Sequence, residues 1–301
     1  MNAGAQRVAA AARPDPSLPA AIFDFSRGKQ ALLTIAQPAL GAVLALSGLP
    51  SWRVIAIGLP AAGAASFALY ALNDLLDRKV DARSLAAGKS AVPDHDLDTT
   101  FVRHPLARGV LRLRVSVAWV VGLALVAVVG TAVLSPLALL FFAAAAATQV
   151  VYCALRSVTC WKTVLSGVMV GFGGLAGWAA VAPLRLSALS LFVFLACWEI
   201  GGRNIVNDLS DLDSDARVGI RTVASVRGEA AACLVATALL PMPATSVVLA
   251  LALGAWSLGR PAVKLLRRPT PAEAASYFNH GSLYPDLVLL AALVGLALGG
   301  S

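Results

Sequence analysis

Runs of apolar residues, most of them close to the roughly 20 residues that a helix needs to cross a bilayer, alternate along this chain with short polar stretches. They fall at 31–49, 53–73, 113–133, 136–153, 163–183, 186–206, 229–241, 243–259 and 284–300. The pattern predicts an all-α polytopic membrane bundle of about nine transmembrane helices. The separators at Leu134-Ser135-Pro136, Pro183 and Pro241-Met242-Pro243 are short, and 229–241 is the weakest run. Composition agrees: 58% of the 301 residues are hydrophobic, 13% are charged, and the mean hydropathy is +0.78, outside the range of a soluble domain.

The basic residues orient the bundle, because cytoplasmic loops collect Lys and Arg. With a cytosolic N-terminus only Arg53 and Arg185 lie outside. The other 22 of the 24 basic residues fall in the N-terminal stretch or in and beside the loops after helices 2, 4, 6 and 8. The net charge of +8 and the pI near 9.8 therefore reflect topology and attraction to anionic lipid headgroups. No basic surface interleaved with aromatics argues for nucleic acid. The expected location is the inner (plasma) membrane of the cell, with the polar loops facing the cytosol. Residues 1–28, rich in Ala and Pro and lacking an apolar core, predict a disordered or interfacial cytosolic tail rather than a cleavable signal peptide. Residues 29–301 then form the transmembrane domain. Cys153, Cys160, Cys197 and Cys233 show no CxxC spacing and read as structural thiols.

Two acidic stretches break the apolar pattern, and ionisable side chains beside a bilayer are costly enough to point to function. The first, NDLLDRKVD, continues helix 2 into the cytosol. At about 100° per residue, Asp74, Asp77 and Asp81 fall within roughly 60° of one another and Asn73 lies about 40° from Asp77, so all four face one way. The second, NIVNDLSDLDSDARVGIRT, ends helix 6 on the same side of the membrane. There Asn207, Asp208, Asp211 and Asp215 span roughly 100°, whereas Asp213 points away and reads as a solvated charge. So many carboxylates cannot crowd together without cations. Oxygen-rich sites of this kind suit Mg²⁺, which leaves coordination positions for phosphate oxygens, so two facing clusters would hold a metal-bridged diphosphate.

At these residues the chain resembles the UbiA superfamily of intramembrane prenyltransferases, marked by an N-D-x-x-D-x-x-x-D box after helix 2 and a D-x-x-x-D box after helix 6. Asn73, Asp74, Asp77 and Asp81 match the first, Asp211 and Asp215 the core of the second, followed by the family-like GIRT of Gly219 to Thr222. YCALRSVT, with Tyr152 and Arg156, is similar to the stretch entering the loop after helix 4, and NHGSLYPDLVLL to the stretch before the last helix. One region departs. Where the family has Arg-Pro-Leu-x-x-Gly, this chain reads RHPLARG, with His104 between Arg103 and Pro105, and it arrives after the long connection SLAAGKSAVPDHDLDTTF. That insertion, with Asp94, Asp96 and Asp98, is a lid or a tolerated surface loop, the loop being preferred.

The resemblance implies Mg²⁺-dependent transfer of an isoprenyl group from a polyprenyl diphosphate to an acceptor, a small aromatic in the broadest reading, within the membrane. Together with the shared helix faces it makes Asp74, Asp77, Asp81, Asp208, Asp211 and Asp215 the candidate metal ligands, and Asn73, Asn207, Tyr152, Arg103, Lys162 and Arg203 the candidate substrate contacts, Arg203 for an acceptor carboxylate or the diphosphate. Lys79, Arg103, Arg108, Arg156, Lys162, Arg217 and Arg221 are candidates for an electrostatic cradle, with Arg156 and Arg221 favoured by their motif-like positions. Glu199, Arg203 and Asn207 share a helix face, where an i,i+4 ion pair is the plainer reading of Glu199 and Arg203. Gly167, Gly171, Gly174 and Gly177 share a face of helix 5 suited to close packing. His95, His104 and His280 show no mutual metal spacing and read as solvated or structural. A terpene cyclase of the same superfamily would need the same clamp and stays open. A cation transporter would carry its acids across the midplane rather than at helix ends, and the D-G-x-x-A-R opening of CDP-alcohol phosphotransferases is absent.

Overall fold

A computed structural model describes residues 16–86, 97, 99–238 and 254–299, which are helical with no strand among them. The helices are α1 (Leu18–Phe25), α2 (Gly28–Thr34), α3 (Ala36–Leu46), α4 (Trp52–Ala86), α5 (Leu113–Leu134), α6 (Pro136–Leu155), α7 (Lys162–Ala179), α8 (Leu186–Cys197), α9 (Ile205–Ser210), α10 (Leu212–Val218), α11 (Val223–Arg227), α12 (Glu229–Ala238), α13 (Arg260–Arg267), α14 (Pro271–Ser282) and α15 (Tyr284–Gly299). Wider π turns at Trp198–Asn204 and Ala255–Gly259 continue into α9 and α13.

Six stretches among the described residues are long and apolar enough to cross a bilayer: Gly28–Leu46, Trp52–Ala86, Leu113–Leu134, Pro136–Leu155, Leu186–Ser210 and Pro271–Ala297. The expected count of nine is therefore not reproduced. Of the other three runs, 163–183 is α7, whose five glycines and Lys162 lower its apolar character. The 229–241 run is the short α12, and 243–259 lies largely outside the described residues. The last span begins earlier than residue 284, at Pro271, behind a Thr270 cap whose hydroxyl accepts the Glu273 N–H at 3.3 Å. Part of the expected tail is also helix: α1 buries Ala21 and Phe25 completely.

Local chemistry explains the breaks. Pro38 has no N–H to give Thr34, so the first span divides at Ile35 into α2 and α3. Ser135, extended, caps α6 and precedes Pro136, which suits the first helical turn; one residue thus folds α6 back on α5. The exterior is apolar. Leu113, Val117, Val121, Leu125 and Val129 of α5 are all exposed, an arrangement built for lipid rather than water, and the chain is that of an integral membrane protein.

The glycine face of α7 packs as expected. A Cβ on Gly167 would come within 2.7 Å of the Ala196 carbonyl and one on Gly171 within 2.5 Å of the Phe192 ring. Gly177 lies directly against the Pro38 carbonyl, and Gly41 of α3 against that of Gly174. Backbones approach this closely only where both sides lack bulk. A leucine at Gly177 should overpack the α3–α7 seam, where misfitting bulk costs about 1–3 kcal/mol or more, and lower the thermal unfolding midpoint in detergent. Gly122→Leu, where a Cβ meets nothing within 4 Å, should not. Equal midpoints would show that the seam yields.

Candidate active site

α4 sets the geometry. Its 35 residues make a rod about 50 Å long at 1.5 Å per residue, longer than the roughly 30 Å of hydrocarbon in a bilayer, and the first acidic box occupies its far third. The expected common face is present: Asn73, Asp74, Asp77 and Asp81 all line one cavity of about 570 Å³. Each meets a different part of the chain. The Asn73 carbonyl oxygen accepts the Gln149 side-chain N–H of α6 at 2.7 Å. Buried Asp74 accepts Arg27 Nε at 3.3 Å, Asp77 pairs with Arg156, and Asp81 faces His104 Nδ1 at 3.3 Å. Half-burial draws the Arg156 pKa below its ordinary value, but a guanidinium starts high enough to stay charged.

The second box lines the same cavity through Asn207, Asp208, Asp211 and Asp215, while Asp213 is exposed, as its helical position predicts. The π turn ahead of it docks on α14. Trp198 donates its indole N–H to the Gly281 carbonyl at 2.8 Å, and Gly281 sits against the Gly202 carbonyl. Buried Lys162 lies 3.7 Å from Asp208 and donates to the Tyr152 hydroxyl at 3.2 Å, which also accepts from Asn204 at 3.3 Å. Glu199 and Arg203 form the i,i+4 pair at 2.8 Å. The same guanidinium reaches Gln30 at 2.6 Å, Ser282 at 3.2 Å and Tyr70 at 3.4 Å, and Glu199, Arg203 and Asn207 all line the cavity.

Of the basic residues named as cradle candidates, Arg103, Arg156 and Lys162 line the cavity, whereas Lys79, Arg108, Arg217 and Arg221 are exposed and do not. Arg221 is the correction that matters. Gly219 closes α10 with φ of 75° and turns the chain outward, so that Arg221 contributes its backbone N–H, bound to the Arg156 carbonyl at 2.8 Å, rather than its side chain. The loop of the second box thereby holds the backbone of Arg156, whose side chain pairs with Asp77 of the first.

Several site residues lie outside the sequence expectation. Arg27, in the stretch expected to be a tail, is placed by Asp24, whose buried carboxylate accepts the backbone N–H groups of Thr100, Phe101 and Val102 at 2.8, 2.6 and 2.6 Å. Around it Phe25, Ala71, Val102, Leu106 and Val120 share a core, and Ser26 accepts the Trp119 indole N–H at 2.9 Å. Gln149 was legible in principle, as a lone amide in an apolar run. His104, expected to be structural or solvated, instead joins Asp74 and Asp81, their ligand atoms lying within 4.8 Å of one another. His95, Asp94, Asp96 and Asp98 of the insertion lie outside the described residues.

The oxygen-rich lining, with carboxylates of both boxes beside Arg156 and Lys162 around one cavity, fits a divalent cation and a polyanion together. The opposite end of the cavity is apolar, lined by Val43, Ile55, Leu59, Leu69, Leu134 and Phe142.

The sequence model of the UbiA prenyltransferase family matches residues 35–284. A digeranylgeranylglyceryl phosphate synthase from Natronomonas pharaonis is 31% identical over 191 residues, 63% of this chain and 62% of that protein; the chain thus matches just under two thirds of this curated relative's length. Among solved structures, a UbiA homologue from Aeropyrum pernix K1 superposes with a TM-score of 0.70 at 16% identity, over 88% of this chain and 98% of that one. One from Archaeoglobus fulgidus bound to DMAPP and Mg²⁺ gives 0.60 at 16% identity, over 88% and 99%. These likenesses establish the fold.

Replacing Asp24 with Ala removes a charged acceptor from three backbone N–H groups, each such bond contributing about 1.5–3 kcal/mol. Hydrogen exchange at Thr100–Val102 should accelerate more than tenfold; unchanged exchange would mean that packing alone holds this segment.

Proposed function

Because the chain belongs to the UbiA prenyltransferase family, we propose that it transfers an isoprenyl group from an allylic polyprenyl diphosphate to a lipophilic acceptor inside the membrane, its polar end facing the cytosol. The observation that carries this reading is the convergence of both acidic boxes, with Arg156 and Lys162, on one cavity whose other end is apolar. The apolar end accommodates the isoprenoid chain, and the charged end receives the diphosphate.

In this reading Asp74, Asp77, Asp81, Asp208, Asp211 and Asp215 would hold the metal, and the structure of an Archaeoglobus homologue bound to DMAPP and Mg²⁺ supports Mg²⁺ as that metal. Bound there, the cation neutralises diphosphate oxygens and lowers the barrier to their departure. Arg156 and Lys162 add fixed positive charge where negative charge develops as the allylic C–O bond breaks, with Arg103 and Arg27 beside them. Asn73 is oriented by Gln149, and Tyr152 by Lys162 and Asn204. The apolar walls keep water from the allylic carbon, so the electron pair it accepts comes from the acceptor, which then gives up a proton.

For the acceptor, a small aromatic is one reading. The curated relative's name favours a second, the hydroxyl of a glyceryl phosphate lipid. Purified protein given Mg²⁺ and a panel of allylic diphosphates should release diphosphate only when an acceptor is present, and products from parallel aromatic and glyceryl phosphate acceptors decide between the two. Acceptor-independent release of a cyclised hydrocarbon would make it a cyclase instead. Asp74→Ala and Asp211→Ala should each lower turnover at least a thousandfold while the protein stays monodisperse, and chelating the metal should do the same; near-normal activity in either variant would remove the metal-clamp assignment. Arg203→Lys, which cannot keep the fork of contacts to Glu199, Gln30 and Ser282, should raise KM or lower kcat severalfold, and unchanged kinetics would leave Arg203 as a packing element.

A further inference from the structure

His104 lies between Arg103 and Pro105, at the end of the connection that joins α4 to α5. We propose that His104 is a ligand, together with Asp74 and Asp81, of a divalent metal on the α4 side of the cavity, and that its nitrogen shifts the preference of this site from Mg²⁺ toward a transition metal such as Mn²⁺. The inference rests on the metal-assisted reading above and adds to it a donor atom of another kind.

The geometry suits a shared ion. Ligand atoms about 2.1 Å from one cation lie about 3 Å apart when adjacent and about 4.2 Å apart when opposite. The His104 Nδ1 to Asp81 Oδ2 separation is 3.3 Å, and the ligand atoms of all three residues fall within 4.8 Å. The imidazole and the Asp81 carboxylate are each only 14% exposed, and both line the cavity. The backbone that carries the ring is held on both sides: Val102 is tied to Asp24, Pro105 is fully buried, and the His104 carbonyl accepts the Arg108 N–H at 3.0 Å.

The donor set decides the metal. Carboxylate and water oxygens serve Mg²⁺ and Mn²⁺ alike, whereas imidazole favours transition metals, so replacing one oxygen by nitrogen separates the two. Arg27, whose Nε lies 3.3 Å from Asp74 Oδ1, supplies positive charge but, as a guanidinium with no lone pair to offer, no ligand atom. The second cluster, Asp208, Asp211 and Asp215, is oxygen only. The two sides of the cavity are thus chemically unequal toward cations.

The test is direct binding to the full-length, tag-free protein in detergent, using Mn²⁺ with inorganic diphosphate as the probe and buffers free of imidazole. Pulsed electron paramagnetic resonance of bound Mn²⁺ should show nitrogen-14 modulation from a coordinated imidazole in the wild type. His104 has φ of 51°, a left-handed conformation that Asn and Gly tolerate, so both variants keep the backbone; His104→Asn replaces the imidazole nitrogen by an amide oxygen and His104→Gly removes the side chain altogether. Both should lose the modulation and bind Mn²⁺ at least tenfold more weakly, with Mg²⁺ binding changed less than threefold. Bound Mn²⁺ without nitrogen coupling in the wild type would overturn the assignment of His104 and leave the carboxylate clamp standing. Modulation that survives in both variants would overturn it as well. Failure of the wild type to bind Mn²⁺ or Mg²⁺ at all would remove both this inference and the metal-assisted reading beneath it.

Discussion

Three carboxylates along one face of a single helix repel one another, and the repulsion grows as water is excluded. α4 imposes that arrangement through nothing more than the spacing of Asp74, Asp77 and Asp81. Around it the chain supplies a different partner for each: Arg27 from the segment before α2, Arg156 from the end of α6, His104 from the segment before α5. Those partners come from three regions far apart in sequence, so offsetting the charge on α4 and closing the bundle around the cavity are one event.

The remaining architecture serves the same end. Glycines on α3 and α7 bring two backbones into contact, and that small-residue seam forms a wall of the cavity rather than filling it; Gly173 and Gly177 are among its lining residues. The π turn at Trp198–Asn204 carries Arg203 to a position where one guanidinium reaches α2, α4 and α14. Buried polar groups of this kind are tolerable beside lipid only when their hydrogen bonds are met within the protein.

Much of the site was legible because helical periodicity is a local property. Residues one, four and eight places along an acidic box share a face whatever they pack against, which is why Asp213 could be separated from Asp211 and Asp215 by counting alone. Counting apolar runs located α7 but not its character: its glycines bring it below the apolarity of the six long spans, and it is held by close backbone packing. Contacts between distant segments left still less trace. Asp24 and Arg27 sit at the end of a stretch whose composition reads as a tail, and nothing near them names the backbone at Thr100–Val102 or the carboxylate of Asp74 as their destination. Arg221 shows the converse. A motif-like position marked the right loop, but the group that matters there is a backbone N–H.

The attachment of Asp24 also has a mechanical side. Asp24 and Arg27 lie three positions apart across the end of α1, the first gripping the segment that carries His104, the second touching Asp74. The leading part of the chain is therefore coupled in series with the acidic face of α4. Tension applied ahead of Ser17, by a fused domain or a tether to another surface, would reach the charged end of the cavity through Asp24 and Arg27 as well as the faces of α4 and α5 that pack on α1. In this fold the N-terminal segment is a lever on the site.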